Sequence, residues 1–253
     1  MTVTASIPSA PLAEPLREAI AARAEAALAD SPARVKRIEV AGRFYWVKTE
    51  ERLTLRMRLQ KGGAQGAFAA ERAAFDILGE AGAPVPPVVA EGPGFFVTPD
   101  CGRPLRDLIR DRTLSPADRT LPFAEAATAL ARLHAKGLSH GRPAIRDICW
   151  DGRKVAFLDF ERFAPARNRM RGHVEDLVIL LFSTFVETGR PSPETEALAR
   201  AYRAADPGGI WAGAERLCRR LRWLGPLTWP VRRWRGAPEF LAIPPTLDAF
   251  NAG

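Results

Sequence analysis

The sequence predicts an α+β chain of two lobes, a small strand-rich amino-terminal half followed by a larger helical half. Three observations predict it. Runs rich in β-branched and aromatic residues read as strands mostly within the first hundred positions. Stretches with apolar residues at helical spacing dominate afterwards. A linker at 98–104 separates the two and reads as a hinge. The expected organisation is a helix and strand-rich lobe over 1–97, the hinge, and a helical lobe over 105–253 that carries a basic, tryptophan-rich carboxy-terminal segment.

Taken in order, residues 12–29 carry Leu12, Leu16 and Ile20 among many alanines, which predicts an amphipathic helix. RVKRIEVAGRFYWVKTEERLTLRMRLQ follows, and Ala41-Gly42 predicts the turn of a hairpin whose second strand holds Phe44, Trp46 and Lys48. KGGAQG (61–66) reads as a loop, and 67–82 as a helix stopped at Gly82. VPPVVAE and GFFVT read as two short strands, with a helix starting in PLRDLI. Helices are then expected over 121–137, 174–189 and 192–205. The last opens with Ser192 as its cap and a glutamate at the third helical position, a capping-box pattern.

Bulk properties narrow the classes of function. The net charge of +8 favours acidic partners: nucleic acid, an anionic membrane surface or phosphate-bearing substrates. Cys101, Cys149 and Cys218 lack paired or metal-ligand spacing, which argues against a disulfide framework or a zinc site. The amino terminus lacks the pattern of a signal peptide, and LVILLFSTFV (177–186) is too short to span a bilayer. A cytoplasmic protein, able to lie on the inner face of the membrane, is the expectation.

Several residues suit phosphoryl transfer, which needs a cation on the nucleotide phosphates, an anion to hold that cation, metal ligands and a means of orienting the acceptor. Lys48, at the end of the FYWVK strand, suits the first role, and Glu71 in AAERAAF the second. Asp159 in VAFLDFE ends an apolar strand and suits a magnesium ligand. Upstream, LHAKGLSHG runs an amphipathic helix into His140-Gly141.

With these residues in this order, the chain resembles the protein-kinase-like superfamily, and looks closest to the bacterial lipopolysaccharide core kinases of the Kdo and InaA-type group. It is also similar to the small kinase of the tRNA threonylcarbamoyl-modification complex, whose loop begins His-Gly-Asp. The resemblance spans roughly residues 36–187 and includes Asp176 in VEDLVILL, which matches the buried aspartate that braces the catalytic loop. It implies a bilobal protein-kinase-like fold, ATP and magnesium as cofactors, and a sugar or glycolipid acceptor. It further implies nucleotide contacts from Lys48, Glu71, Thr98 and Asp100, and metal ligation by Asp147 and Asp159.

Two departures bear on the chemistry. No glycine-rich phosphate loop precedes Lys48; only Ala41-Gly42 offers a tight turn. Aligning His140-Gly141 with the family loop puts Arg142 where the catalytic aspartate belongs, and Asp147 five residues later, where the metal-binding asparagine belongs. A second register, with Arg146-Asp147 as the Arg-Asp pair, leaves only 12 residues to Asp159 and a glycine at 152, so the first is preferred. An arginine cannot act as a base. In an active enzyme Arg142, Asp147 and Asp159 form the catalytic set, with Arg142 pairing with the acceptor or the transferring phosphate. In an inactive one the fold binds nucleotide, membrane or a partner protein without turnover. Both readings stay open at this point.

The segment 215–240 holds seven arginines between 216 and 235, with Trp223, Trp229 and Trp234 among them. RLCRRLRWLG predicts a short helix with Leu217, Leu221 and Leu224 on one side, ended by Gly225-Pro226. Arginine with tryptophan suits an anionic bilayer surface. Nucleic acid is the rival, disfavoured because no RNA- or DNA-binding motif accompanies the segment. Packing of the tryptophans on the helical lobe is the plain alternative, and oligomeric state is left open.

Overall fold

A computed structural model describes residues 12–31, 33–50, 64–227 and 238–250. The chain is α+β, with nine α-helices and two antiparallel sheets among the described residues. It divides into two compact units, Met1–Gly102 and Arg103–Gly253.

The first unit is built on a sheet ordered β1-β2-β4-β3. Helix α1 (Glu14–Asp30) precedes β1 (Val35–Val40) and β2 (Arg43–Thr49), whose register pairs Val40 with Arg43. The loop is therefore the two residues Ala41 and Gly42, both left-handed at φ 51° and 71°. Such a turn matches the right-handed twist of the strands it joins, so the expected hairpin forms where the sequence puts it. The pleat sends Tyr45 and Val47 to one face, where Ile20 and Ala24 of α1 join them with Ile38 and Val97 in the core. Phe44, Trp46 and Lys48 point to the other.

Helix α2 (Ala64–Glu80) meets that second face at Phe96 and Lys48. It starts inside the stretch read as a loop: Ala64, Gln65 and Gly66 are helical, while 61–63 lie outside the described residues. Its end is as expected. Gly82 sits at φ 68°, its N–H reaches the Gly79 carbonyl, and the Ala83 N–H reaches that of Leu78. These two bonds satisfy carbonyls that the last helical turn leaves open. Strand β3 (Ala90–Gly92) is shorter than VPPVVAE, because Pro86 and Pro87 have no N–H to give a ladder; β4 (Phe95–Pro99) is buried throughout.

The second unit holds a small sheet ordered β5-β6-β7, from Arg103–Pro104, Ile148–Trp150 and Val155–Phe157. After α3 (Leu105–Arg110) comes α4 (Pro116–Ala135), which begins ahead of the expected 121–137. Ser115 is the reason: its hydroxyl accepts from the Asp118 N–H at 3.2 Å, and Pro116 starts the helix. Helix α5 (Met170–Thr188) is buried along its middle and stops at Gly189, φ 67°. Gly172 within it lies so close to the Arg167 carbonyl that a Cβ would come within 1.9 Å.

Helix α6 (Pro193–Ala205) packs along α4 and has the expected capping box, with one correction. The reciprocal residue is Thr195, whose hydroxyl accepts from the Ser192 N–H at 2.9 Å; the glutamates flank the third helical position rather than fill it. Helix α7 (Ile210–Arg220) ends before the expected Gly225-Pro226, which lie instead in the single turn α8 (Leu224–Leu227). Helix α9 (Pro238–Ala249) packs back on α5, α7 and α8. Trp229, Trp234 and the arginines at 232, 233 and 235 lie outside the described residues, as does the RLTLRMRLQ stretch.

Candidate functional site

The residues singled out in the sequence fall into two groups, one in each unit. In the first, Lys48 lies opposite Phe96 in the β2–β4 register, and Thr98 lies opposite Trp46. Lys48 and Thr98 therefore share the sheet face that α2 meets. Phe68, Glu71 and Phe75 form one stripe of α2; both phenyl rings sit 5.3 Å from that of Phe96, and Glu71 Oε1 accepts directly from Lys48 Nζ. Glu71 is 1% exposed and Lys48 18%. A carboxylate that deep needs a cation beside it.

Asp100 does something more local. Its carboxylate accepts from the Gly102 N–H at 2.9 Å and from Arg37 at 3.3 Å, while its own N–H reaches the Phe44 carbonyl. It shapes the turn after β4. Thr98 is buried.

In the second unit the β6–β7 hairpin brings the two acids together. Ile148 pairs with Phe157, so the positions just outside the pair are Asp147 and Leu158, and the Leu158 N–H donates to the Asp147 carbonyl at 2.8 Å. Asp159 comes next, in the left-handed region at φ 60°, a conformation aspartate tolerates better than most side chains. Burial pushes the Asp147 carboxyl up to about 6, with the negative charge of Asp159 adding to the rise. Arg146 and Arg142 pull the other way. Arg142 Nη2 donates to Asp159 Oδ2 and lies 3.7 Å from Asp147 Oδ2; Arg146 Nε donates to Asp147 Oδ2 at 3.3 Å.

The loop that carries Arg142 is held from behind. Fully buried Asp176, on α5, accepts from the His140 N–H at 2.6 Å and from the Gly141 N–H at 2.9 Å. Gly141 adopts φ 99°, and a Cβ there would stand 2.4 Å from the Arg162 carbonyl oxygen, so only glycine passes. His140 is buried beside Phe157 and Phe160, and that burial lowers its imidazole to about 4. It is therefore neutral at ordinary pH.

Behind Asp176 lies a polar network that sequence spacing did not reveal. His134 Nε2 lies 3.4 Å from Asp176 Oδ2, and its Nδ1 lies 2.6 Å from the Tyr202 hydroxyl. A carboxylate only accepts, which makes Nε2 the donor and leaves Nδ1 to accept from Tyr202. Ser139 donates to the Arg167 carbonyl at 2.7 Å and receives His173 Nδ1 at 2.9 Å, while the rings of His134 and His173 sit 4.6 Å apart. His134 and Tyr202 are separated by 68 positions, so no local pattern announces their bond.

Asp147 and Asp159 suit a divalent cation that takes most of its oxygens from phosphates and water, as magnesium commonly does. Their mutual repulsion, part of the rise at Asp147, is the kind of strain such a cation relieves. Among the described residues, no group of three or more His, Cys, Asp or Glu side chains could hold a metal ion.

No protein-family model matches the sequence. It is 31% identical over 199 residues to an uncharacterized protein of Haemophilus influenzae, an alignment that covers 79% of this chain and 82% of that protein.

Proposed function

The chain belongs to one family with this Haemophilus influenzae protein, and for it we propose an ATP- and magnesium-dependent phosphotransferase of bilobal, protein-kinase-like fold. The acceptor is a sugar hydroxyl of lipopolysaccharide core or a related membrane glycolipid, the substrate class of the kinases the sequence resembles. The observation that carries the reading is the meeting of Asp147 and Asp159 at the base of the β6–β7 hairpin, beside a loop that Asp176 holds by two backbone N–H groups. The Lys48–Glu71 pair in the first unit supports it independently.

In this reading Lys48 neutralises the nucleotide phosphates, and Glu71 keeps its ammonium group in place. Asp147 and Asp159 hold magnesium, which, when bound, offsets charge on the phosphate oxygens. Arg142 pairs with the acceptor or the transferring phosphate. The acceptor oxygen forms a bond to the terminal phosphorus as the bond to the ADP oxygen breaks; ADP leaves with the electron pair, and the hydroxyl proton passes to water. Losing a positioned base costs roughly 10²–10⁴-fold in rate, which such a reaction survives because positioning and charge supply most of the rest.

A second reading, a non-catalytic nucleotide- or partner-binding protein, is favoured by one observation: the Arg142 guanidinium is seated on Asp159. Thermal unfolding with ATP and magnesium tests the nucleotide site, and turnover separates the two readings. A catalytic nucleotide site predicts a magnesium-dependent rise of several degrees at ligand well above Kd, lost in Asp159→Ala and reduced in Lys48→Ala. A wild-type protein indifferent to both ligands removes the nucleotide site altogether. Radiolabelled transfer to lipopolysaccharide-core acceptors then tests turnover.

The acceptor class brings a membrane surface with it. Arg216, Arg219, Arg220 and Arg222 are exposed, and Trp223 is 61% exposed. Phe240 and Leu241 are exposed at the start of α9, the helix that packs on α7 and α8. This supports an interfacial role at an anionic bilayer. No described helix is long and apolar enough to cross a membrane.

A further inference from the structure

Arg142 makes contacts that a divalent cation at the same acids would disturb. One of its terminal nitrogens donates to Asp159 Oδ2 and stands 3.7 Å from Asp147 Oδ2, so a single guanidinium lies against both proposed ligands. Arg146 approaches Asp147 alone and is the more exposed of the two arginines. The loop carrying Arg142 is fixed at its root, because Asp176 grips the N–H groups of His140 and Gly141. Backbone retreat is thus closed to Arg142, whereas its side chain has several rotatable bonds and an edge open to solvent. Magnesium coordinates carboxylate oxygens at about 2.0–2.1 Å and tolerates little distortion. Two cations cannot share Asp159 Oδ2 at such distances without strong repulsion.

We infer that Arg142 is the resident counter-ion of the Asp147–Asp159 pair in the metal-free protein, and that a divalent cation must displace its guanidinium to bind. Displacement turns the arginine from an intramolecular partner into a free anion receptor on the same loop. The acceptor class this selects is one whose reacting hydroxyl neighbours a phosphate or carboxylate, because a planar fork of donors matches two anionic oxygens. Metal and acceptor anion then bind with positive coupling: each favours the arrangement the other needs. The inference rests on the phosphotransferase reading, since it takes these two acids as the metal's ligands.

Manganese binding followed by electron paramagnetic resonance tests it on the full chain, with inorganic phosphate as the anion probe. The wild type binds one manganese ion, and binding is lost in Asp159→Ala. Arg142→Gln binds manganese roughly tenfold more tightly, the direction set by removing a like charge from a half-buried site. Arg142→Lys, which keeps charge but not the fork, falls between. Phosphate tightens manganese binding to the wild type and leaves Arg142→Gln unaffected. Unchanged or weaker manganese binding in Arg142→Gln, with the wild-type site intact, overturns the displacement and spares the function. Absence of an Asp159-dependent site overturns both. Because the readout is binding, a variant's catalytic rate does not enter.

Discussion

At the scale of single residues, Asp147 shows how neighbours set a carboxylate's state. Two guanidiniums draw near it, yet burial and Asp159 outweigh them, and the group is held at about 6. A carboxylate raised in this way binds more protons folded than unfolded between roughly pH 4 and 6, so its contribution to stability falls as pH rises through that window and is flat above it. The displacement corresponds to about 3 kcal/mol at full ionisation, an upper figure for one side chain. Asp147→Asn therefore stabilises the metal-free protein by about 1–3 kcal/mol at pH 7.5 and changes little at pH 4, as read from urea unfolding at the two pH values. Destabilisation of Asp147→Asn at pH 7.5 is the contrary result. Asp147 and Asp159, singled out in the sequence, are brought together by the hairpin. The ionisation of Asp147 was not legible in sequence, because it depends on an acid twelve positions away that only the hairpin brings near.

At the scale of elements, one side chain of α5 braces the buried His140-Gly141 start of the loop that carries Arg142. Asp176 meets two consecutive N–H groups that have no strand or helix to join. Leaving a buried donor unsatisfied costs about 1–3 kcal/mol each. Asp176→Ala consequently destabilises the protein by about 3–5 kcal/mol and removes hydrogen-exchange protection at His140 and Gly141, while Asp176→Asn, with one acceptor oxygen in place of two, loses less. Protection retained at both amides in Asp176→Ala refutes the brace. Helix α5 itself was visible in sequence as an apolar run closed by Gly189, because burial on most sides demands such a run. Helix starts were read less well. Ser115-Pro116 started α4 early, and Thr195 took the reciprocal place in the α6 capping box, since a hydroxyl one atom from the backbone suffices to answer the N-cap N–H.

At the scale of the whole molecule, the net charge of +8 is reflected in the exposed arginines at 216, 219, 220 and 222, close in sequence to exposed Trp223. Each arginine near an anionic surface contributes about 1 kcal/mol, so four of them change partitioning by roughly two to three powers of ten. The protein is expected to co-sediment with phosphatidylglycerol-containing vesicles, to ignore phosphatidylcholine alone, and to be released by half-molar salt. A variant with these four arginines changed to alanine loses most of that binding; if it binds as the wild type does, the described part of this segment is not the contact. The division of the chain at Gly102 is a second whole-molecule property. Lys48 and Glu71 lie in the first unit, and Asp147 and Asp159 in the second.

Alternation, turn chemistry and the left-handed glycine stops are local, and the sequence alone determined them; the end of α7 at Arg220, rather than at Gly225-Pro226, was not among them. The Ala41-Gly42 hairpin, the Gly82 and Gly189 stops and the shared face of Phe44, Trp46 and Lys48 follow from backbone sterics within a few residues. Long-range partnerships were decided by folding. Glu71 beneath Lys48, the grip of Asp176 on His140 and Gly141, the Tyr202–His134 bond and the seat of Arg142 on Asp159 all join residues far apart in the chain. Each exists because a charge or donor withdrawn from water must find its complement wherever packing has delivered one.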